Sequence, residues 1–396
     1  MAAQGARRYL TISYILAVLL FWASLYMYVP ILPIHARRLG ADDAMIGVIV
    51  GSYGLAQLIL RIPLGAISDR LGKRKPFVLA GFVASAASAL ALALARTPAQ
   101  LFFARLLGGI AACSWVTITV LFAAFYPPQA AVRATSLLGF ASSTGQMAAT
   151  FAGGLAAARW GHVAPFLSGA LLAAAGLLPM LAVREPAQEP GSIPSLRQIL
   201  RVLVRPFLLL VSLVAALLQY ATFATSYAFV PVYAAERLGL TAAQVGALTS
   251  LVLLPYALVS AVVAGLASRF GERELVTLGL AVVALATALV PATHSFSWLL
   301  LARLLFGLGS GLTYPVLMGM SIKAVPQQER ATAMGAFQAI YALGMTAGPA
   351  LSGLVSQSLS LPAVFWLTAA LSLFGGALLW LPVRAALPQS QAADRT

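Results

Sequence analysis

Three arginines fall inside long apolar stretches: Arg61 in GVIVGSYGLAQLILRIPL, Arg105 in LFFARLLGGIAAC and Arg303 in LLLARLLFGLG. A charge placed in hydrocarbon costs at least ~2.5–3.5 kcal/mol on insertion scales, so such residues usually serve a function. Arg61 is the sharpest of the three. Gly47, Gly51, Gly54, Gln57, Arg61, Gly65 and Ser68 follow one another at steps of three or four. They draw one small-and-polar stripe along a helix, suited to a helix interface or a cavity wall. On that stripe Arg61 could hold an anionic or zwitterionic substrate, or its long arm could snorkel to the headgroups. Proton chemistry has fewer candidates. All ten carboxylates, Asp42, Asp43, Asp69, Glu185, Glu189, Glu236, Glu272, Glu274, Glu329 and Asp394, map to loops, tails or the ends of apolar segments. A proton relay needs a buried group whose pKa its surroundings can shift. Coupling is therefore left to Asp69, to a carboxylate on the substrate, or to no proton at all. The single Cys113 excludes an intramolecular disulfide, and His35, His162 and His294 are far apart in sequence. No metal cluster, cofactor motif or catalytic constellation emerges, which argues against an enzyme.

The elements that must position these residues are membrane spans. Of the 396 residues 61% are hydrophobic and 9% charged, against about 25% charged in soluble domains. Charges, Pro and Gly divide the chain into twelve apolar segments of roughly the length that crosses ~30 Å of hydrocarbon. They are expected at 10–33, 44–67, 76–95, 100–122, 134–157, 163–183, 207–231, 242–266, 275–291, 297–320, 331–354 and 362–382. The first is too long for a signal-peptide core and reads as a retained span. Of the 25 cations, 17 fall on the side of the membrane that holds both termini and 5 on the other. That bias predicts cytoplasmic termini. It also accounts for the net charge of +15 without nucleic acid. In the longest polar interruption, 184–206, Arg197, Arg201 and Arg205 recur every fourth residue. They predict a short amphipathic helix on an anionic leaflet, or a basic start to the seventh span.

The two halves repeat. RRLG at 37–40 returns as ERLG at 236–239, offset 199; FFARLLGG at 102–109 returns as LLARLLFG at 300–307, offset 198. RAT at 133–135 returns at 330–332, offset 197, while Gly47, Gly145 and Gly154 meet Gly246, Gly344 and Gly353 at 199. One offset held along the chain marks two parallel six-span copies. The expected division is residues 1–184, a linker over 185–205, and 206–396.

Between the second and third segments stands GAISDRLGKRK, residues 65–75. With the duplicated twelve-span pattern it resembles the signature loop of the major facilitator superfamily, its Gly65, Asp69, Arg70, Gly72, Lys73 and Arg74 filling the motif. The resemblance covers nearly the whole chain and implies an all-α integral membrane fold of two pseudo-symmetric six-helix bundles. It also implies a conformational latch, Asp69 meeting the start of span eleven near Arg330-Ala331-Thr332 when the cytoplasmic side is closed. Positive-inside anchoring alone would explain the cations but neither Asp69 nor the two glycines. A tight turn at Gly72 needs the φ > 0 that glycine adopts freely. The second copy, VAGLASRFGER at 263–273, has Ser268 where Asp69 would fall, so its latch should be weaker. Arg105 with Gly109, echoed by Arg303 with Gly307, is similar to the fourth-span motif of proton-coupled antiporters. Gly344, Gly348 and Pro349 are similar to the antiporters' Gly-xxx-Gly-Pro motif, but lie in span eleven where that family carries it in span five. Tight helix packing is the other reading of these glycines.

Tyr26, Gln57, Arg61, Gln146, Gln219, Tyr256, Gln338 and Tyr341 are the candidates for lining a central cavity. With Trp22, Phe223 and Met345 nearby, that cavity would suit amphipathic molecules or lipids better than free sugars. The resulting expectation is a monomeric plasma-membrane exporter of amphipathic compounds, most like drug/proton antiporters, working by alternating access. The alternative is a transporter or flippase of anionic lipid-linked or organic-acid substrates.

Overall fold

The computed structural model describes residues 2–126, 131–183, 185, 201–202, 204–323, 325–326 and 329–382. Among the described residues, twelve helical segments cross the molecule: α1 Ala2–Tyr26, α2 Asp43–Leu71, α3 Lys75–Leu94, α4 Pro98–Ala123, α5 Ala131–Trp160, α6 Ala164–Ala182, α7 Pro206–Glu236, α8 Ala242–Phe270, α9 Glu272–Ala288, α10 Phe296–Lys323, α11 Arg330–Ser358 and α12 Leu361–Leu378. Ten are long and apolar enough to span a bilayer; Leu10–Tyr26 is apolar but shorter. The starts are chemically marked. Proline occupies the first turn of α3, α4, α6, α7 and α12, where its missing N–H costs nothing. Thr97, Thr241 and Ser360 accept from the backbone at the entries to α4, α8 and α12. The first segment departs from expectation. Its helix stops at Tyr26, and the chain turns before a short helix, Leu32–Arg38, continues it.

The two halves build equivalent six-helix bundles. α1 packs on α5 and α6, α2 on α4, and α3 on α4 and α6; α7, α8 and α9 repeat these choices among α10, α11 and α12. Between bundles, α2 lies along α11 and α5 along α8. One irregularity breaks the symmetry. Residues Thr222–Phe229 of α7 are wound as a π-helix, a widening often found at functional sites. Phe223 and Tyr227 lie within it and are buried.

Most of the 185–205 linker, including Arg197, lies outside the described residues, as do the side chains of Asp69 and of the RAT at 133–135.

Candidate functional site

Every one of the three intramembrane arginines is buried: Arg61 is 5% exposed, Arg105 2% and Arg303 1%. No Asp or Glu is buried among the described residues. Arg61 does not snorkel. It points between the bundles, where Nη1 donates to the Tyr341 hydroxyl at 3.0 Å, linking α2 to α11. Arg303 donates through Nη2 to the Ser226 hydroxyl and lies 4.4 Å over the Phe306 ring. The Arg105 guanidinium lies 4.1 Å over the ring of Tyr53 and 5.6 Å over that of Tyr28. Its Nε and Nη1 are buried and find no hydrogen-bond partner among the described residues.

Aromatic rings collect around these charges from both halves. Tyr26 of α1 meets Tyr227 of α7 edge-on at 5.8 Å, and Tyr53 of α2 stacks on Phe223 at 6.1 Å. Trp22 joins Tyr26 to Trp115 at 5.8 and 5.3 Å. Below them Tyr341 touches Tyr314 and Phe337. Cations over aromatic faces are each worth about 0.5–2 kcal/mol, which is less than the cost of burying an unpaired charge. The layer therefore presents positive charge and π-surface together.

The remaining cavity candidates divide. Gln57 is buried but bonds within its own helix, to the Tyr53 carbonyl at 3.3 Å. Gln146 points at Ser142 at 3.4 Å, and Gln219, Tyr256 and Gln338 are half-buried. Sequence reasoning did not single out Tyr28, Tyr53, Tyr227 or Trp115. Tyr53 had a signal, since it is the immediate neighbour of Gly54 on the stripe. Tyr28 and Tyr227 are 199 residues apart, the repeat offset.

The motif glycines pack helices in matched pairs. Gly109 lies against Tyr53 and Ala56, and Gly307 against Val252 and Pro255, so both motifs seat the fourth helix of a bundle on its second. Gly344 and Gly348 seat α11 on α7 at Ala216 and Tyr220, as Gly145 seats α5 on α1 at Leu19 and Ala23. The Gly-xxx-Gly-Pro segment therefore serves packing within the second half. Pro349 also faces the other bundle, its carbonyl against Gly47. In the signature loop Gly72 has φ +60° as expected, and its counterpart Gly271 has φ +94°. Gly65 makes no close approach here, its nearest neighbour being Val116. The loop is held from its own half, because Glu185 accepts the backbone N–H groups of Arg74 and Lys75 at the start of α3, where a helix favours an anion.

At the face opposite the termini the bundles are joined. Arg37 pairs with Asp43 and, at 2.9 Å across the bundles, with Glu236. Ser356 and Gln357 of α11 donate to Asp43 and Asp42. Ser250 of α8 donates to the Met147 carbonyl of α5 at 2.8 Å. On this face His35, against Phe166 at 5.0 Å, and His162 come together despite their distance in sequence. Burial holds the His35 pKa below the ordinary value of 6.5, aided by His162 and Arg38; burial and Arg38 do the same at His162.

Two duplicated bundles, sealed against each other at one face around a buried layer between them, are the architecture of an alternating-access membrane transporter. The sequence profile of the Major Facilitator Superfamily matches residues 14–241 and 211–396, and the chain belongs to that family. It is a multi-pass membrane transporter and not an enzyme. It is 26% identical over 375 residues to the inner membrane transport protein YajR of Escherichia coli, covering 92% of this chain and 80% of that one. It is 26% identical over 333 residues to the class C tetracycline resistance protein of Escherichia coli, covering 82% and 83%. Among solved structures, the human organic anion transporter MFSD10 superposes with a TM-score of 0.66 at 23% identity over 94% of this chain and 99% of that one. This last likeness is one of fold.

Proposed function

We propose that the protein is a secondary transporter of amphipathic organic anions, working as a monomer in the plasma membrane with both termini cytoplasmic. One observation carries the reading: three buried guanidiniums sit among aromatic rings, with no buried carboxylate among the described residues to neutralise them. Uncompensated charge in a low-dielectric interior attracts a counter-ion strongly, and the rings supply contact for an apolar body. Arg61 and Tyr341, one from each bundle, make the site sensitive to the relative position of the halves. The signature loop 65–75 remains the proposed latch of the termini face.

A second reading, export of uncharged or cationic amphipathic compounds by proton antiport, is favoured by the relationship to the tetracycline resistance protein. Purified protein in liposomes separates the two. A fluorescent aryl carboxylate, its neutral methyl ester and a lipophilic cation are followed with and without an imposed pH gradient. Movement of the carboxylate with little transport of the cation is expected. Gradient-driven transport of the cation, with the carboxylate left behind, would overturn the anion reading.

A further inference from the structure

The repeat supplies an internal comparison at the sealed face. Phe166 and Phe365 are equivalent, 199 residues apart. In the second half Tyr233 meets Phe365 edge-on at 5.7 Å, and its hydroxyl donates to the Pro291 and Thr293 carbonyls at 3.3 and 3.1 Å. That ring is anchored. In the first half the ring against Phe166, at 5.0 Å, is His35, and the repeat places Ala234 at its position. His35 is 7% exposed, and its Nε2 is buried without a hydrogen-bond partner among the described residues.

The ionisable groups acting on His35 are His162, from the connection between α5 and α6, and Arg38, three residues on in its own helix. His162 has a buried Nδ1 that also lacks a partner among the described residues. A neutral imidazole fits this setting. An imidazolium there would be a buried cation beside other positive groups, with no acceptor for its new N–H. The short helix that carries His35 also carries the seal. Leu32–Arg38 buries Leu32, Pro33, His35 and Ala36, while Arg37 reaches Asp43 and, across the bundles, Glu236. Those two carboxylates are engaged by Arg37 and are not among the groups acting on His35. The helix is seven residues long, about two turns, so a push on the ring is a push on Arg37.

We propose that a proton taken up on His35 unlocks the sealed face: the imidazolium leaves Phe166, the helix Leu32–Arg38 moves with it, and Arg37 is drawn away from Glu236. Burial, then His162 and Arg38, hold the His35 pKa below its ordinary value of 6.5 while the face is sealed, and parting the face relieves all three. The parted state therefore binds the proton more tightly, and acid shifts the population towards it. With the termini cytoplasmic, as proposed above, this face is the outer one, and external acid opens the molecule towards the acid. The device acts whichever compound is carried, so it stands apart from the anion reading.

Full-length protein with Cys113→Ser receives nitroxide labels at Ala99→Cys and Ser297→Cys, exposed positions at equivalent outer ends of the two bundles. Pulsed electron–electron distance measurements follow in nanodiscs at pH 8 and pH 5. A short distance should dominate at pH 8, and the long-distance fraction should rise by about fivefold or more at pH 5. His35→Gln should keep the pH 8 distribution at both values. Arg38→Gln alters an exposed side chain and removes one like charge from the helix. It should reduce the rise by about twofold, the scale of a like-charge pair three residues apart, and it decides the matter should His35→Gln fail to fold. His294→Gln, exposed on the same face, should leave the rise intact. A wild-type distribution that is the same at both pH values would overturn the proposal. So would a rise that survives His35→Gln undiminished, or one that His294→Gln abolishes.

Discussion

The two ends of the bundle interface are made of similar residues and used differently. Towards the face opposite the termini, glycine backbones touch across the halves. A Cβ on Gly154 would lie 2.7 Å from the Gly246 Cα, and one on Gly51 2.6 Å from the Thr346 carbonyl. Gly47 and Gly353 are equally pressed, against Pro349 and Asp43. Towards the termini, Gly139, Gly265 and Gly335 have nothing within 4 Å of a Cβ position, and in the Leu253–Phe270 part of α8 Val263 is the residue that is buried. The two ends thus record one conformation, zipped at one face and parted at the other. Small residues in a membrane helix license close approach, but only the conformation says which of them are using it.

The largest break in this contrast comes from filling the zipped end. Gly47→Leu must displace the Pro349 carbonyl, and overpacking of this kind costs roughly 1–3 kcal/mol or more. It should part the sealed face and lose transport. Labelling of a single cysteine at Ser356, in a Cys113→Ser background, should then rise by about tenfold, and unchanged labelling would contradict the seal. Next comes charge. Arg37→Glu sets like charges at 37, 43 and 236, and a half-exposed pair is worth ~0.2–1 kcal/mol. Turnover should change about twofold to fivefold, and adding Glu236→Arg should recover most of the loss.

Acid provides a third test. Because the folded state holds His35 and His162 below 6.5, the unfolded chain takes up protons first as pH falls. Stability present above pH 6.5 is therefore lost as acid is added down through the lowered values. A detergent melting curve should show Tm falling below pH 6.5, and His35→Gln should reduce the slope. The smallest effect belongs to the parted end. Gly335→Ala meets open space, so helix propensity alone should act, stabilising by about 0.5–1 kcal/mol. A loss of stability there would mean that the end is closed.

Much of this was legible before any coordinates. Span number, the duplicated halves and the φ > 0 turn at Gly72 follow from hydropathy, offset and glycine placement, which are local properties of the chain. Arg61 could be flagged but not resolved, because snorkelling and inward burial differ only in rotation about the helix. Its Tyr341 partner is 280 residues away. The glycines could be recognised as packing residues, yet sequence gives no hint that Gly154 meets Gly246 while Gly139 meets nothing. The distinction between Arg105 and Arg303 was present in the repeat, in Met27 against Ser226 and Gly108 against Phe306. It became readable once the structure placed Ser226 and Phe306 at the Arg303 guanidinium and Gly108 near that of Arg105.

The ion pair at the zipped face has a further consequence. Arg37 and Glu236 are separated by 199 residues, the repeat offset itself, so they occupy the same position in the two copies and meet near the pseudo-twofold axis. Two identical first halves would bring arginine to arginine there, and two second halves glutamate to glutamate. Each half therefore repels a copy of itself at the point where it attracts the other. If the six-span halves are produced as separate polypeptides, this position disfavours either from forming a homodimer and favours mixed assembly. This opposite-charge difference acts as an address label for the correct partner bundle.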